Sequence, residues 1–172
     1  MKEDLLKLAD QHGTPLCIID HNVIRANYRT FKNPLPRVQC DDAVKANSTQ
    51  QIIETLFKEG SSFDVASYNE FMQVYQYIKH FEKQQKKYFV WDKIIFSNTI
   101  KDRHTLSKIK QYKPLVTYDN IAEVKKLKEY CNTSGLVVRV KVPDTGSQVE
   151  MSTKFGVEPG EAMALIDYAF EM

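Results

Sequence analysis

One lysine is placed where amine chemistry can be done. In Asp41-Asp42-Ala43-Val44-Lys45-Ala46-Asn47 a short apolar stretch ends on Lys45, beside small residues and an amide. If the stretch is a strand and the pattern from Thr49 to Lys58 is the helix after it, Lys45 stands at the strand's C-terminal end, where α/β sheets and barrels keep their chemistry. A partly desolvated amine at such a position is a nucleophile toward carbonyls. A surface lysine at a strand end is the plainer reading of the same residues.

Other residues compete for a role, each beside a duller alternative. Asp64 interrupts the apolar run Phe63-Asp64-Val65-Ala66-Ser67, and a buried carboxylate needs a partner, so it either meets a nearby cation or is a strand-end residue. Glu70 falls in the first turn of the next helix, where the macrodipole favours a surface acid. Arg139 and Lys141 share one face of Leu136-Val137-Val138-Arg139-Val140-Lys141-Val142, with valines on the other. In a barrel they would face the interior or the mouth and need anions, and on an edge strand they would be wet. Lys154, in Lys154-Phe155-Gly156, reads by composition as a turn. His12, His21, His80 and His104 sit at no expected strand end and read as surface positions.

The elements that must hold these residues follow a rhythm. A short amphipathic helix runs from Glu3 to His12 with Gly13 after it, then a buried strand from Pro15 to Asp20. Asp20 or Asn22 caps a helix from Val23 to Phe31, and Pro34 and Pro36 break the chain. From Arg37 on, strands alternate with helices. The strands are Val38 to Lys45, Ser62 to Ala66, Lys93 to Ser97, Leu115 to Tyr118 and Leu136 to Val142. Their helices are Thr49 to Lys58, Tyr68 to Phe81, Asp102 to Tyr112, Asn120 to Cys131 and Pro159 to Met172. The Lys- and Gln-rich insert from Glu82 to Trp91 reads as a solvated loop.

Such alternation argues for parallel βαβ units, in an α/β barrel or an open doubly wound sheet. No G-x-G-x-x-G or G-x-x-x-x-G-K-[ST] follows any strand, so dinucleotide and P-loop readings have no support and the barrel leads. A complete eight-unit barrel takes about 250 residues, so five units are expected to be the N-terminal part of something longer.

With 172 residues, 42% of them hydrophobic and 27% charged, the composition is that of a soluble globular protein. Lys+Arg of 24 against Asp+Glu of 22 is too balanced for a dedicated nucleic-acid binder. Cys17, Cys40 and Cys131 have neither disulfide-framework nor zinc spacing, so no metal is expected. The start Met1-Lys2-Glu3-Asp4 lacks a signal peptide's apolar core and no run approaches membrane-span length, so a cytoplasmic protein with no membrane partner is expected.

In this order the motifs resemble the N-terminal part of the fold-type III pyridoxal-phosphate decarboxylases, the ornithine, diaminopimelate and arginine decarboxylases. The matching stretches are Gly13-Thr14-Pro15-Leu16, Ala43-Val44-Lys45-Ala46-Asn47, Phe63-Asp64-Val65-Ala66-Ser67 with Glu70, Ser97-Asn98-Thr99-Ile100-Lys101, Thr117-Tyr118-Asp119-Asn120 and Ser152-Thr153-Lys154-Phe155-Gly156. They cover nearly the whole chain, and the ornithine-type members are the nearer likeness.

The resemblance implies a partial (β/α)8 barrel of the alanine racemase-like type over residues 1–172, without the C-terminal β-domain to which strand 15–20 would belong. It implies pyridoxal 5'-phosphate as cofactor, with Lys45 as its Schiff-base lysine and Asp64 and Arg139 nearby. Lys154, with Glu70 in support, would lie near the interface of a homodimer that completes the site. The implied reaction is decarboxylation of a basic amino acid to an amine, in polyamine biosynthesis or related amino-acid metabolism. The family's ring-stacking histidine, glycine-rich phosphate loop, pyridine-nitrogen acid and substrate-binding residues lie beyond the equivalent of Met172. The chain departs from the family at Asp41-Asp42, where bulky apolar residues are usual. Either these acids pair with Lys45 or Arg139, or the strand starts later. A degenerate or truncated relative that acts by binding a partner, as antizyme-inhibitor-like proteins do, is the competing reading.

Overall fold

The computed structural model describes residues 2–144, 146–148, 152 and 154–171. Its centre is a five-stranded, all-parallel sheet of β1 (Asp41–Ala43), β2 (Ser62–Val65), β3 (Ile94–Phe96), β4 (Leu115–Tyr118) and β5 (Gly135–Val138), in the order β1-β2-β3-β4-β5. Strictly sequential order separates the two architectures left open by the alternation. A doubly wound sheet reverses its strand order at a switch point, whereas a barrel adds each strand beside the last with every crossover helix outside. The sheet is therefore an arc of barrel wall.

Among the described residues eight α-helices accompany it: α1 (Lys2–His12), α2 (His21–Lys32), α3 (Gln50–Lys58), α4 (Tyr68–Tyr75), α5 (Lys83–Lys93), α6 (Arg103–Ile109), α7 (Ile121–Cys131) and α8 (Ala162–Glu171). Side-chain alternation sorts the sheet into two faces. Val65, Phe96 and Val116 share a register row, are fully buried, and form the core with Ile53 of α3, Phe71 of α4, Leu106 of α6 and Leu127 of α7. Removing a side chain of this kind from water stabilises the fold by about 1.5–3 kcal/mol. The alternate row, Ala43, Asp64, Ile95, Leu115 and Gly135, looks the other way, toward what would be the barrel lumen.

Local chemistry sets the helix starts. Asp20 caps α2, its Oδ1 accepting from Asn22 N at 2.8 Å. Asp102 does the same for Thr105 N (2.8 Å) at α6, and Asn120 for Glu123 N (2.9 Å) at α7.

Four expectations are corrected. Residues 15–20 form no strand among the described residues: they are exposed, with Leu16, Ile18 and Ile19 in solvent, since no neighbouring strand offers hydrogen-bond partners. β1 is confined to Asp41–Ala43, three residues later than Val38 and followed by a single 3-10 turn at Val44–Ala46. The insert Glu82 to Trp91 is helical, not a loop: Glu82 N donates to Gln85 Oε1 (3.1 Å), Val90 is buried, and Phe89 packs 5.5 Å from the Phe57 ring. Its lysines mask an apolar face too narrow to register as a periodicity. The helix expected from Tyr68 to Phe81 stops at Tyr75 and tightens into a 3-10 turn, Gln76–Ile78. Among the described residues no helix is long and apolar enough to cross a membrane.

Candidate functional site

The C-terminal rim of the sheet collects the residues that could do chemistry. β1 runs directly into the turn that carries Lys45. Val44 is fully buried on the helix side, which fixes the turn, and Lys45 itself is exposed. Among the described residues its ammonium has no ion pair or hydrogen bond. Among the described residues nothing covers Lys45, so the partial desolvation expected for it is not provided by them.

Asp64 lies one strand over, half-buried, in the register position opposite Ala43. Its partner is a hydroxyl and not a cation: Ser97 Oγ donates to Asp64 Oδ1. Glu70 holds the turn between Asp64 and α4. Its Oε2 accepts from Ala66 N (2.8 Å), its Oε1 accepts from Ser67 Oγ (3.2 Å), and its own N–H donates back to Ser67 Oγ (3.2 Å). Glu70 is thus a half-buried acceptor that holds the start of α4, and not a surface acid.

Arg139 is the first residue beyond β5. Its N–H donates to Tyr118 O (2.7 Å) and its carbonyl accepts from Val157 N (2.9 Å), so its backbone is fixed from both sides. Nη1 donates to Thr99 Oγ1 at 2.9 Å, and the guanidinium lies 5.0 Å from the centre of the Phe155 ring. Its face-mate Lys141 pairs with Glu158 (2.5 Å) at the edge. Lys154 is exposed in the turn that leads to Gly156. Gly156 has φ +93°, and a Cβ there would come 2.8 Å from Lys141 N, so the turn requires glycine. Gly156 N donates to the buried Asp119 Oδ2 at 2.8 Å, tying this loop to the end of β4.

Lys45, Asp64 and Arg139 thus share one rim without touching. The contacts that run along it are Ser97 to Asp64 and Arg139 to Thr99. Asp41 and Asp42 both lie inside β1, and neither forms an ion pair with Lys45 or Arg139 among the described residues. Burial pushes both carboxyls above the usual aspartate range, and the neighbouring Asp64 charge adds to it. Of the histidines, His21 is half-buried, its Nδ1 2.6 Å from Thr55 Oγ1, while His12, His80 and His104 are exposed.

Lys101 was not singled out from the sequence, yet it is the most buried cation of the rim, 1% exposed. Its Nζ donates to the carbonyls of Asn98 (2.8 Å) and Thr117 (2.7 Å), approaches that of Thr99 (3.4 Å), and lies 3.0 Å from Glu123 Oε1. Lys126 meets the other oxygen of Glu123 at 2.7 Å. Burial lowers the Lys101 pKa, against the raising effect of Glu123. Glu123 stands three residues after the capping Asn120, a spacing that reads as a capping box. Asn120 does cap Glu123 N, but the carboxylate turns inward to Lys101.

The family model described as pyridoxal-dependent decarboxylase, pyridoxal binding domain, matches residues 21–171. The lysine/ornithine decarboxylase of Selenomonas ruminantium is 28% identical over 169 residues, which are 98% of this chain and 40% of that protein. Antizyme inhibitor 2 of Xenopus laevis is 29% identical over 152 residues, 86% of this chain and 30% of that protein. The crystal structure of SrLDC in complex with PLP and cadaverine has a TM-score of 0.80 at 27% identity, over 99% of this chain and 40% of that one. The chain spans less than half the length of each of these relatives.

Proposed function

The chain belongs to the pyridoxal-dependent decarboxylases, through their pyridoxal binding domain, and on that premise we propose that it supplies the lysine and one wall of a pyridoxal 5'-phosphate site in an enzyme that decarboxylates a basic amino acid. The observation that carries this reading is the free Lys45 ammonium at the end of β1, beside a lumen-facing rim of polar groups.

The donor set fits the cofactor on one side. Lys45 offers an amine with no competing ion pair, which a covalent link to an aldehyde requires. Asp64, held by Ser97, and Arg139, held by Thr99 and Phe155, offer charges of both signs along the wall. When bound, pyridoxal phosphate supplies an electron sink for the bond that breaks when the α-carboxylate leaves. This chain's residues hold and orient. Lys45 Nζ would anchor the cofactor. The fixed Arg139 guanidinium would set where a carboxylate, phosphate or ring oxygen rests, and Asp64 would fix the local charge near the amine.

A basic amino acid is the preferred substrate because the relatives include the lysine/ornithine decarboxylase of Selenomonas ruminantium and the ornithine decarboxylase of Candida albicans. The reading extends to residues 1–172 as the N-terminal part of a pyridoxal-phosphate barrel, and to a cytoplasmic homodimer in which the exposed Lys154 lies at the interface. Polyamine biosynthesis is the metabolic setting of that reading. Glu70 would support the site by fixing the turn behind Asp64.

Incubating the chain with pyridoxal phosphate, reducing with borohydride and mapping the modified peptide tests the assignment. Modification concentrated on Lys45, and abolished in Lys45→Ala, is the expected result. Modification spread evenly over the exposed lysines would overturn it.

A second reading is a non-catalytic binding protein. It is favoured by the likeness to antizyme inhibitor 2 and by the two acids in β1. Amine production from lysine, ornithine or arginine by the chain with added cofactor would exclude it.

A further inference from the structure

A buried ammonium is an expensive way to fill space, and Lys101 fills space at 1% exposure where an apolar side chain would avoid the desolvation penalty. What an apolar side chain could not do is hold carbonyls. Lys101 Nζ reaches the carbonyls of Asn98 and Thr117 at 2.8 and 2.7 Å, the first in the turn after β3 and the second in β4. The Thr99 carbonyl, at 3.4 Å, belongs to the same turn. Glu123, at the start of α7, supplies the counter-charge at 3.0 Å, and Lys126 holds its second oxygen at 2.7 Å. The turn is therefore clamped to the next strand and the next helix through one atom.

The residue clamped in this way is the one that grips the rim arginine. Thr99 is 5% exposed, and its Oγ1 accepts from Arg139 Nη1 at 2.9 Å. Two carbonyls held on either side of the Thr99 amide leave its side chain little freedom, so the hydroxyl is presented to β5 in a fixed place. We propose that Lys101, paired with Glu123, is a positioning residue: it fixes the turn after β3 so that Thr99 holds the Arg139 guanidinium at the candidate site. The role is indirect, since Lys101 is buried and its Nζ meets carbonyls and Glu123, not Arg139 itself. It rests on the pyridoxal-phosphate reading for its consequence, and not for its geometry.

Two readouts keep those apart. In the chain without cofactor, the side-chain NMR signals of Arg139, assigned by their loss in Arg139→Lys, report whether the guanidinium is held. Slow solvent exchange is expected in the wild type. Faster exchange is expected in Thr99→Val, which removes the hydroxyl, and equally in Lys101→Met. Unchanged exchange in folded Lys101→Met overturns the proposal. If Lys101→Met does not fold, Glu123→Gln, which keeps the shape of the pair and removes its charge, takes its place: a loosened guanidinium supports the proposal and an unaltered one sinks it.

The second readout is the yield of borohydride-trapped cofactor on Lys45 at limiting pyridoxal phosphate. Lys101→Met and Thr99→Val are each expected to lower it by about tenfold, the scale of one hydrogen bond to a charged group. Together they should lower it no further, because they act through one contact. Independent, multiplying effects would overturn the proposal. If the wild-type chain traps no cofactor on Lys45, the functional reading fails, and the exchange measurement still decides the role of Lys101.

Discussion

Lys45 and Lys101 both lie in segments that connect a strand of the same sheet to its next helix, and they have opposite surroundings. Lys45 follows β1 at the open edge, exposed and without a partner among the described residues. Lys101 follows β3 in the middle of the sheet, where carbonyls of the β3–α6 turn and β4 take its hydrogen bonds and the carboxylate of α7 lies 3.0 Å away. An amine whose protons are all engaged is structural, and an amine with none engaged is available to react. Position in the sheet makes that difference: an interior strand has neighbours on both sides and a covering helix, and an edge strand has only one neighbour.

The contrast is broken most directly through stability. Lys101→Met should lower the unfolding free energy by about 3–5 kcal/mol, since it leaves Glu123 short of a counter-charge and buried carbonyls unpaired. Lys101→Met with Glu123→Leu should recover much of that loss, whereas Lys45→Ala should move the same urea-denaturation midpoint by no more than about 0.5 kcal/mol. A large effect at Lys45 would mean that its ammonium is engaged after all.

A smaller effect sharpens the rim itself. Glu70→Ala removes the acceptor for Ala66 N and Ser67 Oγ behind Asp64 and should cost about 1 kcal/mol in the same denaturation. Glu70→Gln, which keeps the acceptor, should recover most of it. Equal losses for the two variants would show that charge, and not the acceptor, is what Glu70 contributes.

The smallest effect concerns the acids of β1, and its sign depends on pH. Burial and the Asp64 charge raise the Asp42 pKa in the folded protein, so the folded state holds that proton more tightly than the unfolded chain does. The stabilising contribution is therefore fully present below the ordinary aspartate range and is lost as pH rises through the folded value. Asp42→Asn should accordingly raise the melting temperature at pH 7, and the gain should vanish toward pH 4. A gain that persists unchanged in acid would place its origin outside the ionisation of Asp42.

The sequence carried the alternation of strands and helices and most strand positions, because parallel strands buried against helices keep apolar runs such as Ile94-Ile95-Phe96 and Leu115-Val116. Ordered motifs picked out Lys45, Asp64, Glu70 and Lys154 as residues of interest, and the charged face of an apolar run picked out Arg139. Helix α5 was hidden, because Lys83, Lys86 and Lys87 surround its few buried positions. So was the missing strand at 15–20, since an apolar run states a preference for pairing but cannot supply a partner.

What the sequence by itself determined is which residue types stand at the strand ends: a lysine after β1, an acid on β2 and an arginine after β5. What only the tertiary structure decided is how each is held. Asp64 meets a hydroxyl just past the next strand, Arg139 meets Thr99 from 40 positions away, and Lys101 meets Thr117 and Glu123. Those partners are distant in the chain and become neighbours only when parallel strands align their C-terminal ends, which no local pattern records. The same alignment separates the free amine of Lys45 from the engaged amine of Lys101.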